Sequence, residues 1–509
     1  MENYLEQCLD SVMNQSIGPG HWELLVVDDG SSDSSGAIAD RYAERCEHMH
    51  VTHIANSGGP GRPRNLALSD ARGEFVLFLD ADDYLGPETL ERLVGMARRA
   101  DSDIVLAKMV GIDGRAVPQA ALRKTVPHAT LGSVYSSLSV LKLFRRELLH
   151  RLGLRFEEGV AGGEDAPFTM RAYFAARAIS VVGDYPCYYV RLRPGSQTTS
   201  GWKYARGALT EHLGRLGGRL ELVADAAADH PDRDLLMLRH LDDLLRIFKL
   251  QWVDLDPETK KATFDQTTEL LQRWLSPELH ERLAPWHALR AYCLLHGLRP
   301  ELDDIATVRT RHATRDPLIE GEFIYGRWPH FRDEAQIPDR YFEVGRRMTG
   351  VLTLEQLTVT EGILRLEGRA YVKLLGGATT LVLTDCRTGE RLELPTEALP
   401  TPGLRDKQAA YPTAGFRLQI PLSRVANDRP LGPGPWEVSL VVGKNGVYRT
   451  MRIPASAAVV ATPKGPLHYS PEGTLRVSHR RRRLSTRLWE RAKPRRLGRD
   501  APRKDTKAG

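Results

Sequence analysis

No stretch of this 509-residue chain approaches the ~20 consecutive apolar residues that a transmembrane helix requires. The longest strongly hydrophobic runs are strand-sized, such as Phe75-Val76-Leu77-Phe78-Leu79. Met1-Glu2-Asn3 opens straight into polar sequence, without the apolar core of a secretory leader. Cysteine is scarce: Cys8, Cys46, Cys187, Cys293 and Cys386 lie far apart with no CxxC spacing. That argues against a zinc site or a disulfide framework and fits a reducing compartment. There is no internal repeat. A hydrophobic content of 41 % excludes wholesale disorder, and the length corresponds to about two to four domains.

Charge of either sign is nearly balanced until the end of the chain. The formal net charge is +6, yet residues 476–509 alone hold 14 Lys/Arg against 3 Asp/Glu, a local +11 that leaves −5 for residues 1–475. The body is therefore mildly acidic with a cationic appendage, a distribution that disfavours nucleic acid as the principal partner.

Residues 1–200 alternate between helical and strand patterns. Tyr4, Leu5, Cys8, Leu9 and Val12 share one helical face, and Glu23-Leu24-Leu25-Val26-Val27 is a buried-strand run ended by Asp28-Asp29-Gly30-Ser31. A helix over about 34–45, a strand over 50–54, a helix over 65–71 and the strand Phe75–Leu79 follow. This interleaving predicts an open α/β sheet with helices on both faces, in which ligands gather at the carboxyl ends of strands. Both acidic clusters, Asp28-Asp29 and Asp80-Ala81-Asp82-Asp83, stand at such ends. Residues 205–330 are helical in pattern, with Leu238, Leu241, Leu245, Phe248 and Trp252 on one stripe. From about Leu352 the period changes to two, and Gly443-Lys444-Asn445-Gly446 marks a hairpin, which together predict a small β-sandwich.

Asp80 and Asp82 flank one small residue just beyond a buried strand. Two such carboxylates suit a hard cation, Mg²⁺ or Mn²⁺, shared with a phosphate group. The competing reading is that Asp82 or Asp83 caps the helix beginning near Pro87. A phospho-receiver arrangement with Lys108 as its lysine fails on length. Only 28 residues separate Asp80 from Lys108, too few for the two strand–helix steps, each crossover needing about 30 residues.

The acidic motif has ordered company: Tyr4 through Gln15; Val26-Val27-Asp28-Asp29-Gly30-Ser31-Ser32-Asp33; Asn56 through Asn65; Gly73-Glu74-Phe75; Phe78-Leu79-Asp80-Ala81-Asp82-Asp83; Gly163-Glu164-Asp165-Ala166-Pro167-Phe168; and Tyr189 through Ser196. This set, spanning about residues 1–200, resembles the family 2 glycosyltransferases, which have the GT-A fold and use nucleotide-diphosphate sugars with inversion. The resemblance implies that Asp28 or Asp29 meets the nucleoside base and that Asn56 and Arg64 line the nucleotide pocket. It implies that Asp80 reaches the ribose or sugar and that Asp82 holds the metal, Mn²⁺ or Mg²⁺, bridging the diphosphate. Asp165 would be the general base with Glu164 beside it, and Arg191, Arg193 and Ser196 would belong to a loop closing over the diphosphate. The bland reading of Glu164-Asp165 is a capped helix over 166–176. Two departures from the family stand out. Its first helix follows a strand and a Pro-x-Tyr-Asn-type loop, whereas here Met1 falls almost on that helix. The strand is expected to be missing, with two strand edges exposed and the true start upstream. Many relatives also carry a His in the closing loop, where Val190-Arg191-Leu192-Arg193 offers cations alone.

In overall architecture the chain resembles the polyol-phosphate (wall-teichoic-acid) glycosyltransferases of Gram-positive bacteria. The expected organisation is a GT-A domain over 1–204, a helical linker over 205–335, a β-sandwich over 336–462 and a basic, disordered or membrane-associated tail over 463–509. Tyr371, Tyr411, Trp436 and Tyr448 are aromatic candidates for stacking on sugar or for the sandwich core. In the tail, Arg480 to Arg483 precede Leu484, Leu488 and Trp489, a short apolar edge amid cations that suits an anionic membrane surface or a polyanionic acceptor. The resulting expectation is an inverting, metal-assisted transferase using a nucleotide-sugar, UDP by family habit. It would act in the cytoplasm at the inner face of the plasma membrane on a polysaccharide, teichoic-acid-like or glycolipid acceptor, with homo-oligomers admitted. The alternative is an inactive relative serving as a polymer- or membrane-binding scaffold.

Overall fold

The computed structural model describes residues 1–117, 123–160, 162–193, 208–308, 317–320, 323–344, 350–373, 375–405, 410–425, 430–432, 434–444, 447–453, 467–470 and 474–479. They fall into two units, Met1–Arg309 with Trp328–Phe342, and Thr310–Arg327 with Glu343–Gly509.

The first unit opens with α1 (Glu2–Met13), β1 (Leu24–Asp29), α2 (Ser35–Ala43), β2 (Met49–Ile54) and α3 (Gly61–Asp70). Leu5 and Leu9, one turn apart on α1, pack with Ile38, Ala39 and Tyr42 of α2 and with Met49, so the apolar stripe of each helix is covered by its neighbour. Then come β3 (Phe75–Leu77), β4 (Tyr84–Leu85), α4 (Thr89–Arg99), β5 (Ile104–Ala107), β6 (Met109–Ile112), α5 (Leu131–Val134), β7 (Lys142–Arg145), α6 (Arg146–Arg151), α7 (Asp165–Ala175), β8 (Ile179–Val182) and β9 (Tyr188–Arg191). Strands β3-β7-β5-β8 form one sheet and β4-β9-β6 a second. Every residue of β5 and β8 is buried, which is why β5 reads as a continuous apolar run rather than an alternating one. Phe78, Phe144, Phe156 and Phe168 form a ring cluster beneath the carboxyl end of β3, with Phe156 and Phe168 stacked at 4.0 Å.

The sheet is interrupted beside β3. β1 pairs in parallel with β2, and among the described residues neither its other edge nor the free edge of β3 meets a further strand. Leu24 of β1 and Phe75 and Leu77 of β3 instead line two cavities of about 230 and 240 Å³, one walled by Leu90 and Val94 of α4 and the other by Ala67 and Leu68 of α3. Unpaired backbone groups therefore stand on both sides of an apolar slot.

Helices α8 (Ala208–Ala226), α9 (Arg233–Leu245), α10 (Leu250–Val253), α11 (Pro257–Trp274), α12 (Pro277–Arg282), α13 (Pro285–Leu295) and α14 (Arg299–Thr307) complete the unit. The expected stripe is divided: α9 stops at Leu245, with Met237, Leu241 and Leu244 buried, and Trp252 belongs to α10. Among the described residues no helix is long and apolar enough to cross a membrane.

The second unit begins with the hairpin β10 (Leu318–Glu320) and β11 (Phe323–Tyr325), then β12 (Gly350–Thr360), β13 (Ile363–Val372), β14 (Ala378–Asp385), β15 (Arg391–Pro395), β16 (Glu397–Leu399), β17 (Gly415–Pro421), β18 (Gly434–Lys444), β19 (Val447–Arg452), β20 (Leu467–Tyr469) and β21 (Leu475–His479). Two antiparallel sheets result, β12-β13-β17-β16 and β15-β14-β18-β21-β20 with β19 on β18. Strand β13 alternates strictly, burying Leu364, Leu366, Gly368, Ala370 and Val372, the period of two expected of one sandwich face. Lys444 lies opposite Val447, while the turn residues Asn445 and Gly446 fall outside the described residues. The tail expectation is corrected at its start: β20 and β21 lie past residue 462, where β21 pairs with β18 through Trp436↔Val477. Val477 and Leu475 are buried, so this stretch is sandwich rather than appendage. Tyr411 and Trp436 are core residues and Tyr448 is 61 % exposed. The Arg480–Arg483 run and Leu484, Leu488 and Trp489 lie outside the described residues.

Candidate active site

Arg64, on the first turns of α3, is the hub of the site. Its Nη1 donates to Glu164 Oε1 at 2.6 Å and to Asp165 Oδ1 at 2.7 Å, and its Nη2 donates to Asp80 Oδ1 at 2.8 Å. The guanidinium lies over the Phe156 ring, 5.5 Å from its centre. One planar cation thus gathers carboxylates from positions 80, 164 and 165. Burial opposes the charge on Arg64, but the Asp80, Asp165 and Glu164 carboxylates more than restore it, raising its pKa above the ordinary value.

The backbone around Arg64 is built for close approach. Asn65, buried beside it, accepts from Phe156 N at 2.8 Å and donates to Phe156 O at 3.0 Å, fastening the loop that enters α7. A Cβ on Gly61 would stand 2.1 Å from Glu157 O in that same loop. Gly61→Ala is therefore expected to push the loop away and lower the melting temperature by ~3–8 °C, the overpacking cost of about 1–3 kcal/mol. A thermal melt within 1 °C of wild type would show that the loop yields freely.

Asp165 opens α7, and Glu164, at the N-cap position, makes no side-chain cap hydrogen bond. The helix-capping reading is thus not what this carboxylate does. Burial pushes the Asp165 carboxyl up to about 6, Arg64 opposing the rise and Glu164 adding to it. Capping by Asp82 or Asp83 is likewise not realised, since Glu88 precedes α4. Instead Asp82 Oδ2 pairs with Arg193 Nε at 2.9 Å, and burial raises its pKa against that partner. Asp83 is 4 % exposed and accepts from Arg191 N at 2.8 Å. Burial pushes it up to about 7, with Asp80 and Asp82 adding to the rise.

Other expected residues stand differently. Arg191 is no part of a loose loop: it ends β9, donating to Asp113 Oδ2 at 2.6 Å, Gln7 Oε1 at 2.7 Å and Asp82 O at 3.0 Å. Ser196 lies outside the described residues. Asp28 accepts from Ser31 N at 3.1 Å and lies 2.9 Å from His53 Nδ1, contacts that hold its pKa below the ordinary value against burial. Asp29 accepts from Ser57 N and Oγ at 2.8 and 2.9 Å, and Asn56 donates to Asp29 O at 3.0 Å. Among the described residues no hydrogen bond or ion pair joins Asp28, Asp29 or Asn56 to the Arg64 cluster. Arg64 itself is engaged by three carboxylates rather than standing open to a diphosphate.

The sequence reading missed Lys142. It lies fully buried behind Asp165, its Nζ donating to Ser137 Oγ at 3.2 Å and to Ser139 O, and burial drags its pKa down to about 7 while Asp165 opposes that fall. The available signal was a lone charge inside the apolar run Val140-Leu141-Lys142-Leu143-Phe144.

The model of glycosyl transferase family 2 matches residues 2–156, which hold Arg64, Asp80 and Asp82. This part of the chain is similar to glycosyl transferase family 2. A second family model, the TarS beta-glycosyltransferase C-terminal domain 1, matches residues 347–477, so it reaches over β20 and into β21. The poly(ribitol-phosphate) beta-glucosyltransferase of Bacillus spizizenii is 41 % identical over 197 residues, 38 % of this chain and 31 % of the relative. The poly(ribitol-phosphate) beta-N-acetylglucosaminyltransferase TarS of Staphylococcus aureus is 39 % identical over 204 residues, 40 % of this chain and 35 % of the relative. The chain thus spans about a third of the length of these relatives. The crystal structure of S. aureus TarS shares the fold across 94 % of this chain and 83 % of its own, with a TM-score of 0.60 at 21 % identity. S. aureus TarS 1–349 in complex with UDP-GlcNAc superposes with a TM-score of 0.55 at 26 % identity, over 65 % of this chain and 94 % of that one. The architecture is GT-A-like, followed by helices and an antiparallel β-rich domain.

Proposed function

We infer that this chain is an inverting glycosyltransferase moving a sugar from a UDP-sugar to a hydroxyl of a poly(ribitol-phosphate)-type polymer. The observation that carries the reading is the Arg64 hub, which holds Asp80 and Asp165 on one guanidinium. A carboxylate at a strand end and a carboxylate opening a helix are thereby brought to one place, as donor and acceptor contacts of a transfer must be.

In this reading Asp165 takes the proton of the acceptor hydroxyl as its oxygen attacks the anomeric carbon. The bond from that carbon to the diphosphate oxygen breaks on the opposite face, and the nucleoside diphosphate leaves. Inversion follows from the single displacement. A carboxyl at about 6 is ionised at neutral pH yet basic enough to share the proton. Arg193, which pairs with Asp82, would turn toward the diphosphate. A divalent ion, Mn²⁺ or Mg²⁺, would be held by Asp82 with Asp80. Among the described residues no group of three or more His, Cys, Asp or Glu gathers as a metal site. One or two carboxylates suffice for a hard ion that keeps water and shares phosphate oxygens. When bound, such an ion supplies charge neutralisation on the leaving diphosphate.

The test is transfer of labelled sugar from UDP-GlcNAc and UDP-glucose to poly(ribitol phosphate) between pH 5 and 9, with and without chelator. Asp165 must be unprotonated to act, so kcat/KM is expected to rise about tenfold per unit below pH ~6 and to level above it. Asp82→Ala and chelation are each expected to lower the rate by at least about tenfold. Folded protein that transfers neither sugar at any pH would overturn the reading.

A further inference from the structure

The arginines on the far side of Glu164 have no part in the chemistry above. A cavity of about 380 Å³ lies there, between α7 and α8, lined by Glu164 and Arg171 from one side and Arg215, Gly218 and Arg219 from the other, with Arg155 from the loop fastened by Asn65. The spacing explains the convergence. Glu164, at the N-cap of α7, and Arg171 within it are about two turns apart, and Arg215 and Arg219 are one turn apart on the facing side of α8. Arg155 and Arg171 are exposed at the mouth, while Arg215 and Arg219 are mostly buried behind them.

Three observations mark this as a binding site rather than a packing defect. Glu164 is 4 % exposed and its Oε2 has no hydrogen-bond partner, although Oε1 is bound by Arg64. A buried carboxylate oxygen left bare is costly and calls for a donor. Arg219 donates to Gly163 O at 3.1 Å, its buried Nε has no partner, and among the described residues no carboxylate pairs with it. Burial presses its pKa down, Asp243 opposing that fall and the neighbouring Arg239 and Arg215 adding to it. Finally, a Cβ on Gly218 would meet nothing within 4 Å. A glycine inside a helix costs about 0.5–1 kcal/mol relative to alanine, and here its missing side chain leaves the mouth of the cavity open.

We propose that this cavity is the acceptor's anion subsite. It holds the phosphodiester next to the hydroxyl being glycosylated, with Arg215 and Arg219 as the inner clamp, Arg155 and Arg171 at the mouth, and Glu164 Oε2 accepting from a polyol hydroxyl. The proposal rests on the transferase reading and names its acceptor chemistry: a polyol carrying a phosphodiester, not a neutral glycan. The cavity's size is in the range of small-ligand pockets, roughly 300–1,000 Å³. Glu164, which lines the cavity, directly precedes Asp165, so the same stretch of chain that carries the base would also set the register of the polymer.

The experiment uses the full chain, with ribitol 5-phosphate and ribitol as binding probes and poly(ribitol phosphate) as acceptor. Wild type is expected to bind ribitol 5-phosphate and not ribitol, and inorganic phosphate to compete with the polymer but not with the UDP-sugar. Arg219→Met and Gly218→Leu are each expected to raise the acceptor KM at least about tenfold, while UDP still raises the melting temperature of both. Gly218→Leu places a good helix former at an exposed position with room for it, so the test survives if Arg219→Met fails to fold. Acceptor KM values within twofold of wild type in a folded, transferring Gly218→Leu protein would overturn the subsite and leave the transferase reading intact. Equal binding of ribitol and ribitol 5-phosphate would overturn it as well. Wild type that transfers nothing would overturn the transferase reading and the subsite together.

Discussion

Asp165→Asn is expected to lower kcat for sugar transfer by about 10³-fold, within the range that removal of a positioned general base produces. The amide keeps the shape of the side chain and an oxygen for Arg64 Nη1, which now reaches Asp165 Oδ1 at 2.7 Å. It cannot take the acceptor's proton. Because burial already holds this carboxyl up at about 6, the ionised form carries a desolvation cost at neutral pH that the amide does not. Stability should thus be unchanged or slightly higher at pH 7.5, so a lost activity is not a lost fold. The control is the nucleotide: UDP at 100 times its Kd stabilises by about 2.7 kcal/mol, a melting shift of roughly 5–10 °C for a domain of this size. That shift should persist in the variant. Retention of more than a tenth of wild-type kcat would show that another group takes the proton, with Glu164 the nearest candidate.

Arg64→Met has the largest expected effect on stability. The substitution leaves three carboxylates, Asp80, Glu164 and Asp165, around an uncharged side chain, with the Glu164 and Arg64 side chains only 5 % and 14 % exposed. Removing one partner of a buried ion pair costs about 3–5 kcal/mol, because the remaining charge stays desolvated. That corresponds to a fall in melting temperature of ~6–15 °C at pH 7.5. The pH dependence follows from the sign of the linkage. Without the cation the carboxyls titrate higher in the folded state than in the unfolded one, so their penalty is present when they are ionised and shrinks as falling pH protonates them. The deficit should therefore narrow by half or more at pH 5. Arg64→Lys is expected to lie between, since one ammonium lacks the planar fork that reaches two sides at once. A melting temperature within 2 °C of wild type at pH 7.5 would show that water, not Arg64, solvates these carboxylates.

Much of the fold was legible because its cues are local. The i, i+3, i+4 stripe of α1 buries Leu5, Cys8, Leu9 and Val12, as the spacing alone requires. The β5 run is continuous because both faces are covered, and β13 alternates because one face is. The clustering of Asp80 and Asp82 at a strand end was likewise readable, as was a carboxylate at the start of α7. The start of the tail was misread because Leu475 and Val477 are isolated among polar residues. Pairing with β18 and β20 makes a strand of them.

What sequence alone determined, then, was the inventory: α/β elements in order, helices, a β-rich domain and a set of charged residues at element ends. Which charges face one another was decided by the tertiary structure. Arg64 meets carboxylates 16, 100 and 101 positions away, and nothing in a spacing rule ranks it above the other arginines of the chain. Lys142 is a surface residue by composition and an interior one by the packing of β7. Arg215 and Arg219 read as one more polar face of an amphipathic helix until α7 closes over them. The reason is common to all three: electrostatic pairing depends on distances across the fold and on how much water is removed, and both are set by packing between elements rather than by period within one.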